Sequence, residues 1–115
     1  LSYVPINSTF KEVVIELTRK PLGGTVVLNE NKQHAGIITD GDLRRTLEKY
    51  GENSFNLTAK DIMTRNPVVI QKGINAGKAI ELMEKTPKKI SVLPVIDKNG
   101  TYIGILRIHD ILQLA

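Results

Sequence analysis

The chain has 115 residues, 41% hydrophobic and 24% charged, with a net charge of +4, which is the length and composition of one globular domain rather than a disordered segment. It contains no Cys, which excludes disulfides and thiolate metal sites, and no apolar run approaches the roughly 20 residues of a membrane-spanning helix. The positive charges are spread along the chain and only two Phe and three Tyr accompany them, which argues against a nucleic-acid partner.

The first residue is Leu1 rather than Met, so the chain reads as a piece of a longer protein; no signal-peptide pattern is visible, and the lack of Cys fits a reducing compartment. Residues 1–6 read as a short extended opening, with Pro5 opposing helix. Asn7 or Ser8 offers an N-cap. Phe10, Val13, Val14 and Leu17 then fall at the i, i+3, i+4, i+7 spacing of an amphipathic helix. Pro21 and the Gly23-Gly24 pair end it. Thr25-Val26-Val27-Leu28 reads as a buried strand, Asn29-Glu30-Asn31-Lys32 as a turn, and residues 34–38 as the returning strand of a hairpin. A helix follows over residues 40–50, capped by Thr39 or Asp40 at its start and by Gly51 at its end. Residues 51–57 are polar and read as a loop. Thr58-Ala59-Lys60-Asp61 resembles one capped turn with Ile62 and Met63 turned inward, broken by Asn66-Pro67. Val68-Val69-Ile70 reads as a short strand.

The pattern then starts again. Ala76, Ala79, Ile80 and Met83 form a second helical stripe, closed by Pro87. Residues 92–96 and 102–106 read as a second hairpin around Asp97-Lys98-Asn99-Gly100, and a last helix runs from Ile108 or His109 to Leu114. Val26-Val27-Leu28-Asn29 aligns with Pro94-Val95-Ile96-Asp97, Gly36 with Gly104, and Asp42 with Asp110, all at a shift of 68 residues. Ile15-Glu16-Leu17 aligns with Ile80-Glu81-Leu82 at a shift of 65. That period is too long for a solenoid unit. Two copies, each with one apolar face, predict an α+β fold in which half-units pack about a pseudo-twofold axis. The expected division is residues 1–50, a connector over 51–62, and residues 63–115.

The stretch Gly36-Ile37-Ile38-Thr39-Asp40-Gly41-Asp42-Leu43-Arg44-Arg45 runs a strand into a helix start, with a hydroxyl and carboxylates at the junction. Such a junction can hold an anion on its N–H groups and sugar hydroxyls on a carboxylate, or it can be an ordinary capped turn. Gly36, Thr39 and Asp42 fill the pattern Gly-hydrophobic-hydrophobic-Thr/Ser-x-x-Asp. Met63-Thr64-Arg65-Asn66-Pro67-Val68 opens the second half, and Leu93-Pro94-Val95-Ile96-Asp97 stands in its hairpin. On these residues each half resembles a CBS motif (strand, helix, hairpin, helix), the module first described in cystathionine β-synthase. The pair resembles a Bateman module over nearly the whole chain. A narrower resemblance rests on Thr39-Asp40-Gly41-Asp42-Leu43-Arg44-Arg45, preceded by Gly24-Thr25-Val26-Val27, and on His109-Asp110 in the second half. These are similar to the C-terminal CBS pair of D-arabinose 5-phosphate isomerases. That resemblance implies a parent whose N-terminal domain interconverts ribulose 5-phosphate and arabinose 5-phosphate for synthesis of Kdo, a lipopolysaccharide sugar. It makes the present chain regulatory rather than catalytic.

The resemblance also implies a binding site. Thr39 would bond a phosphate or ribose, Asp42 would accept from ribose hydroxyls, and Gly36 belongs to the same motif. In the second copy Asp110 remains, while Arg107 replaces the Thr and either holds phosphate or fills the pocket. The implied ligand is CMP-Kdo or an adenine nucleotide, with no cofactor required. Arg44 and Arg45 read as a solvated helix face, the alternative being that one of them reaches the anion. His34 and His109 stand apart without metal-ligand spacing. The alternative is a ligand-free oligomerisation module; a homodimer as a fragment and a homo-oligomer in the parent are expected. A free-standing enzyme finds no nucleophile motif or P-loop to support it.

Overall fold

The computed structural model describes residues 1–85 and 91–114, and the Pro87 expected to close the second helical stripe lies outside them. In the first half, β1 (Tyr3–Pro5) leads into α1 (Phe10–Arg19) and lies parallel to β2 (Gly24–Leu28). β2 pairs antiparallel with β3 (His34–Thr39), which runs directly into α2 (Asp40–Tyr50). After a short connection comes α3 (Ala59–Ile62), then β4 (Thr64–Arg65), which lies antiparallel along the outer edge of β3. In the second half, β5 (Ile70–Gln71) leads into α4 (Ala76–Glu84) and lies parallel to β6 (Val92–Ile96). β6 pairs antiparallel with β7 (Tyr102–Arg107), which runs into α5 (Ile108–Leu114). The strand orders are β1-β2-β3-β4 and β5-β6-β7. This is the expected α+β pair of strand–helix–hairpin–helix units.

The repeat holds at the level of single hydrogen bonds. In the first hairpin Thr25 faces Ile38 and Val27 faces Gly36; in the second Leu93 faces Leu106 and Val95 faces Gly104. The register slips after Val27 and again after Val95. Asn29 Oδ1 accepts from the N–H groups of Asn31 and Gln33 at 2.9 and 3.0 Å, and Asp97 Oδ1 from those of Asn99 and Thr101 at 2.9 Å. A short side-chain oxygen closes both turns, so Asn and Asp serve equally there. The parallel pairing sets a different shift for the helices. Val4 faces Val27 and Ile70 faces Val95, a shift of 66 upstream of the hairpins rather than the expected 65. Burial agrees, since Leu17 then matches the buried Met83 instead of the half-buried Leu82. At the same shift Ala76 takes the place of Phe10 and lies exposed, outside the predicted apolar stripe.

Several boundaries differ from the sequence expectation. The N-cap of α1 is Thr9, not Asn7 or Ser8. Its hydroxyl accepts from the Glu12 N–H at 3.2 Å, and the Glu12 carboxylate accepts from the Thr9 N–H at 3.0 Å, a reciprocal capping box. Residues 51–57 are not a loop but mostly a 3-10 helix, Gly51–Asn56. It is pinned by the buried Ser54, whose hydroxyl donates to the Thr46 carbonyl at 3.3 Å, and by Phe55 set edge-on to Phe10 with centroids 5.4 Å apart. The strand expected over Val68-Val69-Ile70 is confined to Ile70–Gln71, after the positive φ of Asn66 and the following Pro67. β4 was not anticipated.

Each half has its own core. Val4, Val13, Leu17, Val27, Ile38 and Ala59 form one; Ile70, Ala79, Met83, Leu93 and Ile111 form the other. Fully burying each large aliphatic side chain contributes about 1.5–3 kcal/mol, so the clusters dominate the stability of their halves. Across the seam, a methyl group on Gly24 would lie only 2.9 Å from Val92 Cγ2. Tyr102 of the second half donates to the Ser2 carbonyl of the first at 2.6 Å. The Ser2 hydroxyl in turn bonds Glu16 at 2.9 Å and Thr25 at 2.8 Å.

Candidate functional site

Both halves bring a loop and a helix start to the same place. The Asp40 N–H donates to the Gly23 carbonyl at 3.1 Å, and the Ile108 N–H donates to the Ser91 carbonyl at 2.9 Å. These bonds repeat at the 68-residue shift and put the two strand–helix junctions side by side. Between them lies a cleft of about 290 Å³ whose walls include Leu22, Gly23, Asp40, Ser91, Arg107 and His109. Of the residues predicted from the motif, Arg107 lines this cleft; Gly36, Thr39, Asp42 and Asp110 do not. Sequence reasoning missed Gly23 and Ser91, and for Asp40 it preferred a capping role to a ligand contact, whereas Asp40 lines the cleft and Thr39 is the cap. The shift itself could have found Gly23 and Ser91, because Gly23 maps onto Ser91.

Thr39 caps α2 and Asp42 completes the box. Asp42 Oδ2 accepts from the Thr39 N–H at 2.9 Å and its hydroxyl at 3.0 Å; Oδ1 accepts from Arg45 Nη2 at 2.7 Å. Asp40 is the first helical residue rather than the cap. Arg45 is therefore tied to the signature carboxylate rather than to open solvent alone. Gly36 is needed for room: a methyl group there would lie 2.5 Å from Met63 Sδ and 2.8 Å from the Thr64 carbonyl, where β4 crosses.

The second junction is wired differently. Arg107 donates from Nε to Asp110 Oδ2 at 2.8 Å and from Nη2 to Oδ1 at 2.7 Å. The planar fork meets the carboxylate with two parallel bonds. The hydrogen bond to Arg107 holds the Asp110 carboxyl below the usual carboxylate range, and the same contact raises the Arg107 guanidinium. Among the described residues no three His, Asp or Glu come together as a metal-binding cluster, and His34 Nδ1 is buried without a hydrogen-bond partner. No helix of the described chain is long and apolar enough to cross a membrane.

The sequence profile of the CBS domain matches residues 1–49 and 59–115. The chain belongs to the CBS domain family. As a CBS pair it is similar to the arabinose 5-phosphate isomerase KdsD of Pseudomonas aeruginosa, with 38% identity over 113 residues, 98% of this chain and 34% of that protein. It is 40% identical over 109 residues to an uncharacterized protein of Rickettsia prowazekii, covering 95% of this chain and 32% of the other. The pair thus spans about a third of the length of these relatives. Its fold is similar to the crystal structure of CBSX2 in complex with AMP, with a TM-score of 0.81 and 27% identity over 99% of this chain and 86% of that one.

Proposed function

We propose that this CBS pair is the regulatory part of an arabinose 5-phosphate isomerase and that the cleft between its halves takes a nucleotide or nucleotide-sugar. The observation that carries this reading is the cleft at the paired junctions, walled by both halves and bearing Arg107 as a phosphate-binding group. The likeness to KdsD over nearly the whole chain supports the parent activity, the interconversion of ribulose 5-phosphate and arabinose 5-phosphate in the cytoplasm by a separate domain. The AMP complex of a similar pair supports a nucleotide ligand. Arg107 is the motif residue on the cleft wall; Gly36, Thr39 and Asp42 shape the first junction and Asp110 the second from behind that wall. Residues 1–50 and 63–115 are the motifs, joined by 51–62. CMP-Kdo fits as a pathway end product that feeds back, and adenine nucleotides are the second ligand class. Binding shifts the parent only through different affinity for its two states.

A second reading has its own support. Both signature carboxylates are already satisfied within the chain, Asp42 by Thr39 and Arg45 and Asp110 by Arg107. Exposed Leu47, Tyr50 and Phe55 offer an apolar face. In that reading the pair is a dimerisation module without a ligand. Melting curves with AMP, ATP, CMP and CMP-Kdo separate the two. A ligand at a hundred times its Kd adds about 2.7 kcal/mol. A shift with any of the four upholds the sensor. No shift with any, together with a dimer in sedimentation, moves the assignment to the dimerisation module.

A further inference from the structure

We propose that Asp110 is a built-in competitor for the ligand's anion, holding Arg107 at the cleft wall and releasing it when a phosphate arrives. The inference rests on the nucleotide reading of the cleft and assigns its affinity control to one residue pair. Arg107 closes β7 and faces the cleft, and Asp110 sits in the first turn of α5, outside it. Their two bonds of 2.7 and 2.8 Å present to the guanidinium the same pair of oxygens that a phosphate would offer. The side chains are 33% and 40% exposed, so the exchange needs no unpacking of the core. Exposed ion pairs contribute little, so an incoming dianion can displace one.

The first half lacks this device. Its signature carboxylate holds the Thr39 cap on one oxygen and Arg45 on the other, and neither Thr39 nor Arg45 lines the cleft. Only in the second half does the signature Asp hold a cation that the cleft presents. The replacement of the motif Thr by Arg107 thereby turns a ligand-binding acid into a brake on ligand binding.

The test is calorimetric titration of AMP and CMP, each against its nucleoside, into the wild-type chain and three variants. Asp110→Asn is expected to bind the nucleotide about two- to fivefold tighter, with the nucleoside unchanged. Arg107→Gln is expected to lose about tenfold for the nucleotide only, and the double variant to match it. Nucleotide affinity unchanged or weakened in Asp110→Asn, with wild-type binding intact, overturns the brake alone. An equal change for nucleoside and nucleotide also overturns it, since the effect then lies in the fold. Absence of binding to every variant overturns the nucleotide reading and the brake with it. The Nε–H resonance of Arg107 gives a check without ligand: slow solvent exchange in wild type and fast exchange in Asp110→Asn are expected, and fast exchange in both overturns the contact.

Discussion

Gly24 and Val92 hold the same place in the two repeats, and they meet each other across the seam. Such self-contact marks the position of a twofold axis, here an approximate one. A methyl group on Gly24 would lie 2.9 Å from Val92 Cγ2 and 3.2 Å from the Ile38 carbonyl, so the axis has room for one side chain, not two. Gly24→Ala should therefore cost about 1–3 kcal/mol by overpacking, and Val92→Ala in the same chain should recover part of it. Urea unfolding of the two single variants and the double gives the coupling. Strict additivity would show that the seam adapts.

The signature glycines separate in the same way. Gly36 is pressed by Met63 and Thr64, whereas among the described residues a methyl group on Gly104 would meet nothing within 4 Å. Gly36→Ala should lower stability by about 1–3 kcal/mol, while Gly104→Ala should stay within about 0.5 kcal/mol of wild type. Melting temperatures of the pair decide it; equal losses would mean that both glycines serve the backbone rather than the space beside it.

Tyr102 makes a prediction in alkali. Burial, and secondarily the charge of Glu16, push its hydroxyl well above the ordinary value near 10. Below that value both folded and unfolded chains keep the proton. Above it the unfolded chain ionises first, so stability falls as pH rises. Tyr102→Phe should be about 1 kcal/mol less stable at neutral pH, having lost the bond to Ser2, but its deficit should shrink near pH 11. Urea midpoints at the two pH values test this, and a constant deficit would remove Tyr102 as the cause.

Thr39 has a structural role as the cap of α2. Thr39→Val should cost about 1 kcal/mol by removing the cap of α2, and Thr39→Ser should cost little. A Thr39→Val chain that melts with wild type would mean the box contributes nothing. For the same reason Asp42→Ala should lower stability by about 1 kcal/mol, checked by its melting temperature against wild type.

Much of this was legible in the residues. The two hairpins, α2 and the 68-residue shift follow from apolar alternation, from turn-forming Asn29 and Gly100, and from the repeated glycine and aspartate. What was hidden depends on contacts distant in sequence. β4 is two exposed residues with no apolar pattern, ordered by pairing with Gly36 and Ile37. The 3-10 helix looks polar because it is held by one buried serine and one ring contact. The expected caps of α1 were Asn7 and Ser8, but only their neighbour Thr9 has Glu12 three residues on. At the site, the motif residues announced the junction, but the cleft is a product of two junctions meeting, which no single stretch encodes.

The outer edge of β3 is closed by β4, whereas among the described residues no strand lies along the outer edge of β7, where Ile103 is exposed. Amide hydrogens on that edge are expected to trade with solvent through smaller local openings than those of β3 beside β4. Within the described residues the two repeats thus share a ladder, and its outer edges are expected to differ in exchange. The edge expected to exchange faster belongs to β7, the strand that ends on Arg107.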